Sequence, residues 1–484
     1  MIPAGADYLR ILPELVLTVF GILVMLFEPL MDPHKDRRLI GILAFIGALL
    51  AIGATVIQAQ NPGMAFSGMV RVDGFAVFFH FVITIIAAVV ILASMSYMKT
   101  QQIRAGEYYG LILLGTVGMV LMSSAVELVL VFIALEISSI ATYVLAGFRR
   151  HAATSVESSL KYFLLGSFAT AFFLYGVAMM FGATGHTQIY EIGAALRSGN
   201  IPTLAYLGVA LMIVGLGFKV ASAPFHVWTP DVYEGAPSPV VALMSTGPKA
   251  AAFAVLLRIL FAASAPGWFW IIWILAVLSM IIGNIGALVQ NNIKRLLAYS
   301  SIAHAGYLLV AFVSLPKAGG YDYGISAAMF YAASYAAMNV GAFIVISHFG
   351  SINERYTTLD DYAGLGRRQP ILAAILTIFL LSLIGIPITG GFFAKFYVFS
   401  AALRANLVGL VIIGVINSAV AAYYYLRVIV YMYMRDEREG VTVTRIPAGL
   451  GASLAVALGA TFYLGVVPGR VLNFAIGAAQ QMLK

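Results

Sequence analysis

The chain has 484 residues, of which 62% are hydrophobic and only 10% are charged, and its mean hydropathy is +0.97. Soluble domains carry about 25% charged residues, so this composition excludes a soluble protein and predicts an all-α polytopic membrane protein. The net charge of +8 comes from basic residues scattered between apolar segments, which argues against a nucleic-acid-binding surface.

The sequence also lacks the motifs of common cofactor sites. It contains no cysteine, which excludes disulfides, iron–sulfur ligation and thiolate zinc. The seven histidines include no HxxxH pair, no GxGxxG opens a βαβ unit, and no phosphate-binding GxxxxGK[ST] is present. We therefore expect no metal, haem, flavin or nucleotide in this chain. The N-terminus has no cationic leader, and we expect the first span to be retained.

Apolar segments follow one another along the whole chain, and fourteen of them are long enough to cross a bilayer, which takes about 20 residues. These predicted spans cover residues 11–31, 39–58, 75–97, 108–124, 128–148, 158–184, 202–224, 240–262, 268–290, 294–315, 321–348, 370–400, 406–434 and 447–467. The tail over 468–484 is predicted to form a short amphipathic helix in the membrane interface.

Basic residues between the spans predict the orientation, because they accumulate in cytoplasmic loops. With the N-terminus outside, fifteen face the cytoplasm: Lys35, Arg37, Arg38, Lys99, Arg104, Arg149, Arg150, Lys294, Arg295, Arg355, Arg367, Arg368, Arg435, Arg438 and Arg445. Eight face the other side: Arg10, Arg71, Arg197, Arg258, Lys317, Arg404, Arg470 and Lys484. We therefore predict a multi-pass protein of a bacterial inner membrane with both termini in the periplasm.

The chain is predicted to be one membrane domain, residues 1–484, that contains an internal repeat. Lys219 precedes Pro224 in the seventh span, and Lys395 follows Pro387 in the twelfth. Two interrupted spans five apart predict two inverted five-helix repeats, spans 4–8 and 9–13, with discontinuous helices seven and twelve. The corresponding segments are spans 1–3 over 1–107, the repeats over 108–262 and 268–434, and the last span and tail over 447–484.

Charged side chains inside the spans are the strongest functional signal. Glu136 lies near the middle of span five, and Lys219, Lys249 and Lys395 lie in apolar surroundings. Charges within the bilayer are costly and mark functional sites by default. Lysine can lose and regain a proton whereas arginine cannot, so lysines with a single carboxylate favour a proton relay. The alternatives are a static Glu136–Lys219 ion pair and lysines that snorkel to the interface.

Four other polar residues are weaker candidates for the same proton relay. His304, in AYSSIAHAGY, and His226, at the break after Pro224, could each accept a proton on one nitrogen and release one from the other; a hydrogen-bonded core histidine is the alternative for both. Glu157 and Lys161 are four residues apart, the favourable order for a helical ion pair, so a stabilising surface pair is the main alternative for them.

Three motifs carry a resemblance to a known family. GFKVASAPFHVWTPDVYEGAPSPVVALMSTGPKAAAF, starting at Gly217, LEISSIATYVL around Glu136, and NIKRLLAYSSIAHAGY, starting at Asn292, closely resemble the antiporter-like proton-pumping membrane subunits of respiratory complex I, NADH-quinone oxidoreductase. The resemblance extends over nearly the whole chain. Its length, span count and Lys395 resemble the subunit N branch of that family most.

The resemblance implies a fold, a site and partners. The expected relay consists of a Glu136–Lys219 pair, a connecting Lys249 and a terminal Lys395, and His304, His226, Glu157 and Lys161 match further polar positions of the family. The expected function is proton translocation coupled to NADH oxidation and quinone reduction elsewhere in the complex. Flavin and iron–sulfur clusters are expected in other subunits. The expected partners are neighbouring antiporter-like membrane-arm subunits, the lipid bilayer, protons and internal water.

Two other functions stay open at this point. One is a subunit of a multi-subunit cation/proton antiporter, whose signature sequence is similar; a lysine at 395 argues against it because a positive charge repels sodium. The other is a passive scaffold that anchors a membrane arm, against which the buried titratable groups argue. Co-purification of redox subunits would favour a complex I subunit. Tolerance of alanine at Glu136, Lys219, Lys249 and Lys395 would favour the scaffold.

Overall fold

The computed structural model describes residues 5–32, 34–197, 201–263, 268–315, 321–440 and 444–483. This part of the chain is almost entirely helical, and its only sheet is a two-stranded antiparallel hairpin of β1 (Gly63–Ala65) and β2 (Val70–Val72). The prediction of an all-α polytopic membrane protein is confirmed. Lys317 and Lys484, both used in the orientation count, lie outside the described residues.

The α-helices of the first half are α1 (Gly5–Arg10), α2 (Leu12–Phe27), α3 (Arg38–Ala59), α4 (Gly74–Thr100), α5 (Glu107–Ser124), α6 (Leu128–Ala146), α7 (Ala153–Thr184), α8 (Ile189–Arg197), α9 (Thr203–Val220), α10 (Thr229–Gly235), α11 (Ser238–Met244) and α12 (Gly247–Ala263). Those of the second half are α13 (Trp268–Leu288), α14 (Ile293–Ser314), α15 (Tyr321–Phe349), α16 (Leu365–Arg368), α17 (Pro370–Ile384), α18 (Gly390–Arg404), α19 (Val408–Met434), α20 (Ala448–Val466) and α21 (Pro468–Leu483). Short 3-10 turns occupy Glu28–Leu30, Ile352–Glu354 and Leu359–Tyr362.

Thirteen helical segments of the described chain are long and apolar enough to cross a membrane, and they coincide with thirteen of the fourteen predicted spans. The predicted span over 370–400 instead consists of two shorter helices, α17 and α18, separated by residues 385–389. The span predicted over 158–184 begins earlier, at Ala153, so that Glu157 and Lys161 both lie within helix α7.

The first break in the helices follows Lys219, in the last turn of α9. The chain leaves the helix at Ala221, whose φ is +58°. The Trp228 indole N–H donates to the carbonyl of Phe218 at 3.1 Å, and Ala223 N–H donates to the Ser279 hydroxyl at 2.8 Å. These contacts meet the rule that irregular backbone at membrane depth is tolerated only where protein satisfies its polar groups.

The second break separates α17 from α18. Gly385 adopts a φ of +98°, a left-handed conformation that glycine reaches without a steric penalty. At Gly391 the backbone passes so close to α17 that a Cβ atom would overlap the carbonyl oxygen of Ser382. Glycine at both positions therefore allows the end of α17 and the start of α18 to lie side by side, close to Lys395.

The helices differ strongly in how deeply they are buried. The most apolar part of the span Ser238–Leu260 is 100% buried, and that of Ile293–Ser314 is 94% buried, against 28% for Leu12–Leu30. The two most buried spans carry Lys249 and His304. The centre of the bundle, rather than its lipid-facing rim, therefore contains these titratable residues.

A buried ion pair joins the N-terminal helices to this centre. The Nη2 and Nη1 atoms of Arg258 donate to the Asp73 carboxylate, at 2.9 and 3.1 Å, and its Nε donates to the Ser123 carbonyl. The orientation count treated Arg258 as a loop residue, whereas it lies inside helix α12 and is 2% exposed. Arg258 lies near the end of a predicted span, so the sequence suggested that its side chain reaches the interface. Its partner, Asp73, is 185 residues away and cannot be recognised from the local sequence.

Candidate functional site

Lys249 lies two residues into helix α12 and is buried against helix α14. Its ammonium donates to the Ser301 hydroxyl at 2.5 Å and to the Ser301 carbonyl at 3.2 Å, and the Tyr335 hydroxyl donates to the same Ser301 oxygen at 2.8 Å. Lys249 is 3% exposed, so it does not snorkel. Its hydrogen-bond partners are neutral.

His304 lies one helical turn beyond Ser301, on the same face of α14. Its Nδ1 is 2.7 Å from the Tyr331 hydroxyl and its Nε2 is 3.3 Å from the Tyr425 hydroxyl, which also contacts the Ser300 hydroxyl. A hydroxyl can donate to one ring nitrogen and accept from the other. The imidazole is therefore held between two phenols in a geometry suited to passing a proton.

A small cavity separates Lys249 from His304. It has a volume of about 20 Å³, and its lining includes Lys249, Ser301, His304, Tyr331 and Tyr335. A cavity of about 10–15 Å³ is enough for one water molecule when polar partners are present. The space between the ammonium and the imidazole can therefore hold a water molecule.

Lys395 lies beside the break between α17 and α18. Its ammonium donates to the carbonyls of Leu383 and Ile384, at 3.1 and 2.7 Å, and to the Ser418 hydroxyl at 2.8 Å. These acceptors match the three donors of an ammonium group. The Lys395 nitrogen also lies 4.9 Å from the ring centre of Tyr307, whose ring contacts that of His304.

Further neutral side chains extend this polar region towards α13 and α19. The Asn284 side-chain amide donates to the Tyr307 hydroxyl at 3.2 Å and to the side-chain Oδ1 of Asn417 at 3.1 Å, and its Oδ1 accepts from the Tyr424 hydroxyl at 3.1 Å. Lys249, His304 and Lys395 thus lie along one continuous polar region in the middle of the bundle. We refer to Lys249, Ser301, His304, Tyr307, Tyr331, Tyr335, Tyr425 and Lys395 as the polar axis.

Lys219 occupies a separate, aromatic environment. Its ammonium lies 5.1 Å from the ring centre of Tyr143, 5.4 Å from Tyr162 and 5.8 Å from Phe218, distances at which a cation interacts with an aromatic face. Glu136 is half-buried, and its Oε1 has no hydrogen-bond partner in the described part of the chain. The pairing of Glu136 and Lys219 as relay partners stays a prediction.

Glu157 and Lys161 form the expected ion pair, at 2.7 Å, but the pair belongs to a larger network. Lys161 also binds Asp231 at 2.8 Å, and Arg295 binds both Asp231 and Glu234, at 2.6 and 2.9 Å. Burial opposes ionisation of Asp231, but its bonds to the two cations lower the pKa of this carboxyl below its ordinary value. The network connects α7, α10 and α14 at one end of the bundle, outside the polar axis.

His226 lies in the break after α9 and contacts none of the axis residues in the described chain. It is half-buried, and its Nδ1 has no hydrogen-bond partner there. Of the remaining histidines, His80 bonds to Gln58 at 2.7 Å and His348 to the carbonyl of Thr444 at 3.0 Å. These two contacts are local packing arrangements.

The sequence analysis singled out no tyrosine, whereas the structure places four of them in the polar axis: Tyr307, Tyr331, Tyr335 and Tyr425. Tyr331 and Tyr335 are spaced four apart on α15, so both point from one helical face, and both reach polar atoms of α14. This spacing is a local signal. Tyr425 comes from a helix 121 residues further along the chain than His304, and no local pattern indicates that contact.

A second unexpected feature is a buried cluster around Glu354. Its carboxylate binds Lys294 at 2.8 Å, lies 3.7 Å from Arg149, and accepts the backbone N–H of Ser238 at 2.7 Å. Burial alone would raise the pKa of Glu354, but the charges of Lys294 and Arg149 outweigh it and lower the pKa to about 2. Lys294 therefore differs from the axis lysines, because a carboxylate holds its proton.

The fold and the site together define a polytopic membrane protein with protonatable side chains buried along its centre. Residues 125–421 match the family described as NADH:quinone oxidoreductase/Mrp antiporter, TM. The chain is also 65% identical to NADH-quinone oxidoreductase subunit N 2 of Koribacter versatilis (strain Ellin345), over 99% of this chain and 98% of that relative. The chain therefore belongs to the subunit N branch of this family of antiporter-like membrane subunits.

Solved structures share the fold over nearly the whole length. A chain of respiratory complex I from Thermus thermophilus with bound aureothin is 36% identical, with a TM-score of 0.80 over 95% of this chain and 98% of that one. A chain of the Mrp complex from Dietzia sp. DQ12-45-1b is 20% identical, with a TM-score of 0.85 over 99% and 98%. At this identity the second likeness is one of fold alone.

Proposed function

We propose that this chain is a proton-translocating membrane-arm subunit of an NADH:quinone oxidoreductase. The observation that carries the proposal is that Lys249 and Lys395 are buried and bonded to neutral oxygen atoms. A lysine with a carboxylate partner cannot release its proton without leaving a buried unpaired charge, which costs about 3–5 kcal/mol. The axis lysines face no such penalty, whereas Lys294 does.

The proton path in this proposal follows the polar axis. A proton passes between Lys249 and His304 through Ser301 and a water molecule in the intervening cavity, and from His304 towards Lys395 past Tyr425 and Tyr307. Water completes the step to Lys395. The net movement is outward, from the cytoplasm to the periplasm, in a bacterial inner membrane with both termini on the periplasmic side.

Coupling to the redox reaction is electrostatic in this proposal. A change in a neighbouring subunit alters the distance between Glu136 and Lys219. At 4 Å and an effective dielectric constant of 20, such a pair is worth about 4 kcal/mol. Moving one charge against 100 mV costs about 2.3 kcal/mol. The pair can therefore supply enough energy to move a proton from Lys249 to Lys395.

The remaining predicted residues take other roles. Lys161, paired with Glu157, holds α7 against helix α10 through Asp231, and His226 is a polar residue of the first break. The two interrupted segments, at residues 221–228 and 385–389, support two inverted repeats over 108–262 and 268–434. The partners are other complex I subunits, especially adjacent antiporter-like subunits. Flavin and iron–sulfur clusters reside in the redox subunits, and this chain binds neither.

Replacing Lys395 tests the relay directly. Lys395→Ala removes the terminal proton carrier, and Lys395→Arg keeps the positive charge on a group that does not deprotonate. We expect both variants to assemble and to translocate fewer protons per electron than the parent complex. The measurement is the proton-to-electron ratio of the reconstituted complex in liposomes with NADH and quinone.

The control is Lys99→Ala, at the exposed end of α4, which should leave the ratio unchanged. A normal ratio in Lys395→Arg would overturn the relay role. Mild-detergent purification separates the function from its alternative: redox subunits with flavin and iron–sulfur clusters favour complex I, and a redox-free set favours a cation/proton antiporter. A scaffold would retain the normal ratio with alanine at Glu136, Lys219, Lys249 and Lys395.

A further inference from the structure

An apolar groove of about 380 Å³ lies between helices α4, α15, α20 and α21. On α15 it is lined by Ala333, Ala336, Ala337 and Val340. With 3.6 residues per turn, these residues face away from Tyr331 and Tyr335 by nearly half a turn. The groove therefore lies behind the helix that supplies the polar axis with two of its hydroxyl groups.

The groove is as deep as one leaflet of a bilayer. Its lining on α4 runs from Phe78 to Val89, which at 1.5 Å per residue is about 16 Å of helix. The hydrocarbon core of a bilayer is about 30 Å thick. On the antiparallel neighbour α20 the lining runs from Val456 to Leu464, two residues before that helix ends, so the groove extends from one interface to about the middle of the membrane.

The sides of the groove are open to the surroundings of the protein. Ile85 is 42% exposed and Val456 is 48% exposed, and both line the groove. The side chains are apolar, and the segments Gly74–Thr100, Asp322–Phe349 and Ala448–Val466 that carry most of them are long and apolar enough to cross a membrane. A lipid chain can therefore enter laterally, without passing through the protein.

The interface end of the groove carries one positive charge. Arg470, in the first turn of α21, is the single charged residue among the described residues that line the groove. Helix α21 is fixed there, because the Gln481 side chain accepts the Gly74 N–H at 2.6 Å and the Phe474 ring stacks on Phe78 at 6.1 Å. An apolar channel of leaflet depth thus ends at an exposed guanidinium group, which binds phosphate well.

We propose that this groove binds an anionic phospholipid, with one acyl chain between α4 and α20 and the phosphate on Arg470. The volume lies in the range of about 300–1,000 Å³ that is typical of small-molecule sites. The bound chain packs against α15 from behind and supports the face that presents Tyr331 and Tyr335. The inference is independent of the proposed direction or coupling of proton transfer.

The test is native mass spectrometry of the full chain in mild detergent, with equal amounts of phosphatidylglycerol and phosphatidylcholine added. We expect the parent chain to retain phosphatidylglycerol preferentially. Ala460→Phe places a ring in the groove and should reduce retention of both lipids by about tenfold or more, because it excludes several methylene groups whose burial drives binding. The matched control is Ala455→Phe, on the same helix but exposed and outside the groove.

Arg470→Gln tests the head group separately and leaves the apolar lining in place. We expect about a fivefold loss of phosphatidylglycerol, the effect of one basic residue at an anionic surface, and no change for phosphatidylcholine. Arg404→Gln, an arginine that lies over the Tyr323 ring, is the control. Equal retention by Ala460→Phe and Ala455→Phe would overturn the site, and equal retention of the two lipids by the parent chain would overturn the head-group assignment.

Discussion

The buried lysines of this protein fall into two chemical classes. Lys249 and Lys395 donate to hydroxyl and carbonyl oxygens, whereas Lys294 donates to the Glu354 carboxylate and to a carbonyl. A neutral acceptor remains stable when the lysine loses its proton, and a carboxylate does not. The partner of each lysine, rather than its burial, therefore separates lysines that can exchange protons from lysines that hold the fold together.

Tyr331→Phe tests the role of the hydroxyls that hold His304. The substitution removes the hydrogen bond to Nδ1 and leaves the ring, so the imidazole loses the contact that orients it. We expect normal assembly and a decrease of about tenfold in the rate of NADH-driven proton uptake into liposomes. This is less than the factor of about 10²–10⁴ that a positioned proton carrier contributes, because the substitution removes only one of the two hydroxyl contacts of His304.

The control for this variant is Tyr299→Phe, one residue before Ser300 on α14, whose ring packs at the edge of the hydrophobic core. It should pump at the parent rate. If Tyr331→Phe also pumps at the parent rate, then proton transfer through His304 does not depend on the Tyr331 hydroxyl, and the proposed proton path is wrong.

Interrupted helices give this bundle polar groups where an unbroken helix would have none. The break at residues 385–389 frees the carbonyls of Leu383 and Ile384, and both accept from Lys395. The arrangement requires α18 to begin directly against α17, at Gly391. The end of helix α17, rather than an acidic side chain, therefore supplies two of the three acceptors of Lys395.

Gly391→Ala should disturb this arrangement. A methyl group at that position would overlap the Ser382 carbonyl oxygen, and overpacking of this kind costs about 1–3 kcal/mol. We expect a lower thermal unfolding midpoint, measured by circular dichroism of the purified chain, together with impaired proton translocation. Gly409→Ala is the control, because a Cβ at Gly409 meets no atom within 4 Å; equal midpoints for the two variants would contradict the close contact.

At the scale of the whole molecule, two buried ionic clusters hold the central span Ser238–Leu260 at its ends. Glu354 accepts from the backbone of Ser238 at one end, and Arg258 binds Asp73 at the other. Lys249 lies between them. The two clusters therefore fix the position of the helix that carries Lys249, and neither belongs to the polar axis.

Glu354 should make the stability of the protein depend on pH at acidic values. Its pKa falls from an ordinary value of 4.5 to about 2 in the folded chain, so its stabilising contribution is fully present above about pH 4.5 and is lost as the pH falls towards 2. We expect the unfolding midpoint to decrease over this range, measured by circular dichroism in detergent.

Glu354→Gln should flatten that part of the profile and destabilise the chain at neutral pH by about 3–5 kcal/mol, because Lys294 is left buried and unpaired. The double variant Glu354→Gln/Lys294→Met should recover part of the loss. A parent-like acid profile in Glu354→Gln would show that another group controls the transition.

The helical architecture and the burial of three lysines inside it could be predicted from the sequence, because both follow from local composition. Long apolar runs indicate the spans, and Lys219, Lys249 and Lys395 are conspicuous within them. Contacts between distant helices could not be predicted in this way. Tyr425 contacts His304 across 121 residues of sequence. Lys294, which the orientation count assigned to a cytoplasmic loop, is fully buried and donates to Glu354 and to the Ala236 carbonyl.

The acceptors around Lys395 also bear on how this chain can change during evolution. Two of the three are main-chain oxygens, which no neighbouring substitution removes, and only Ser418 is a side chain. Substitutions of the surrounding residues thus leave two of the three hydrogen bonds of Lys395 in place. Only a mutation of the lysine itself, or one that relocates the end of α17, abolishes it.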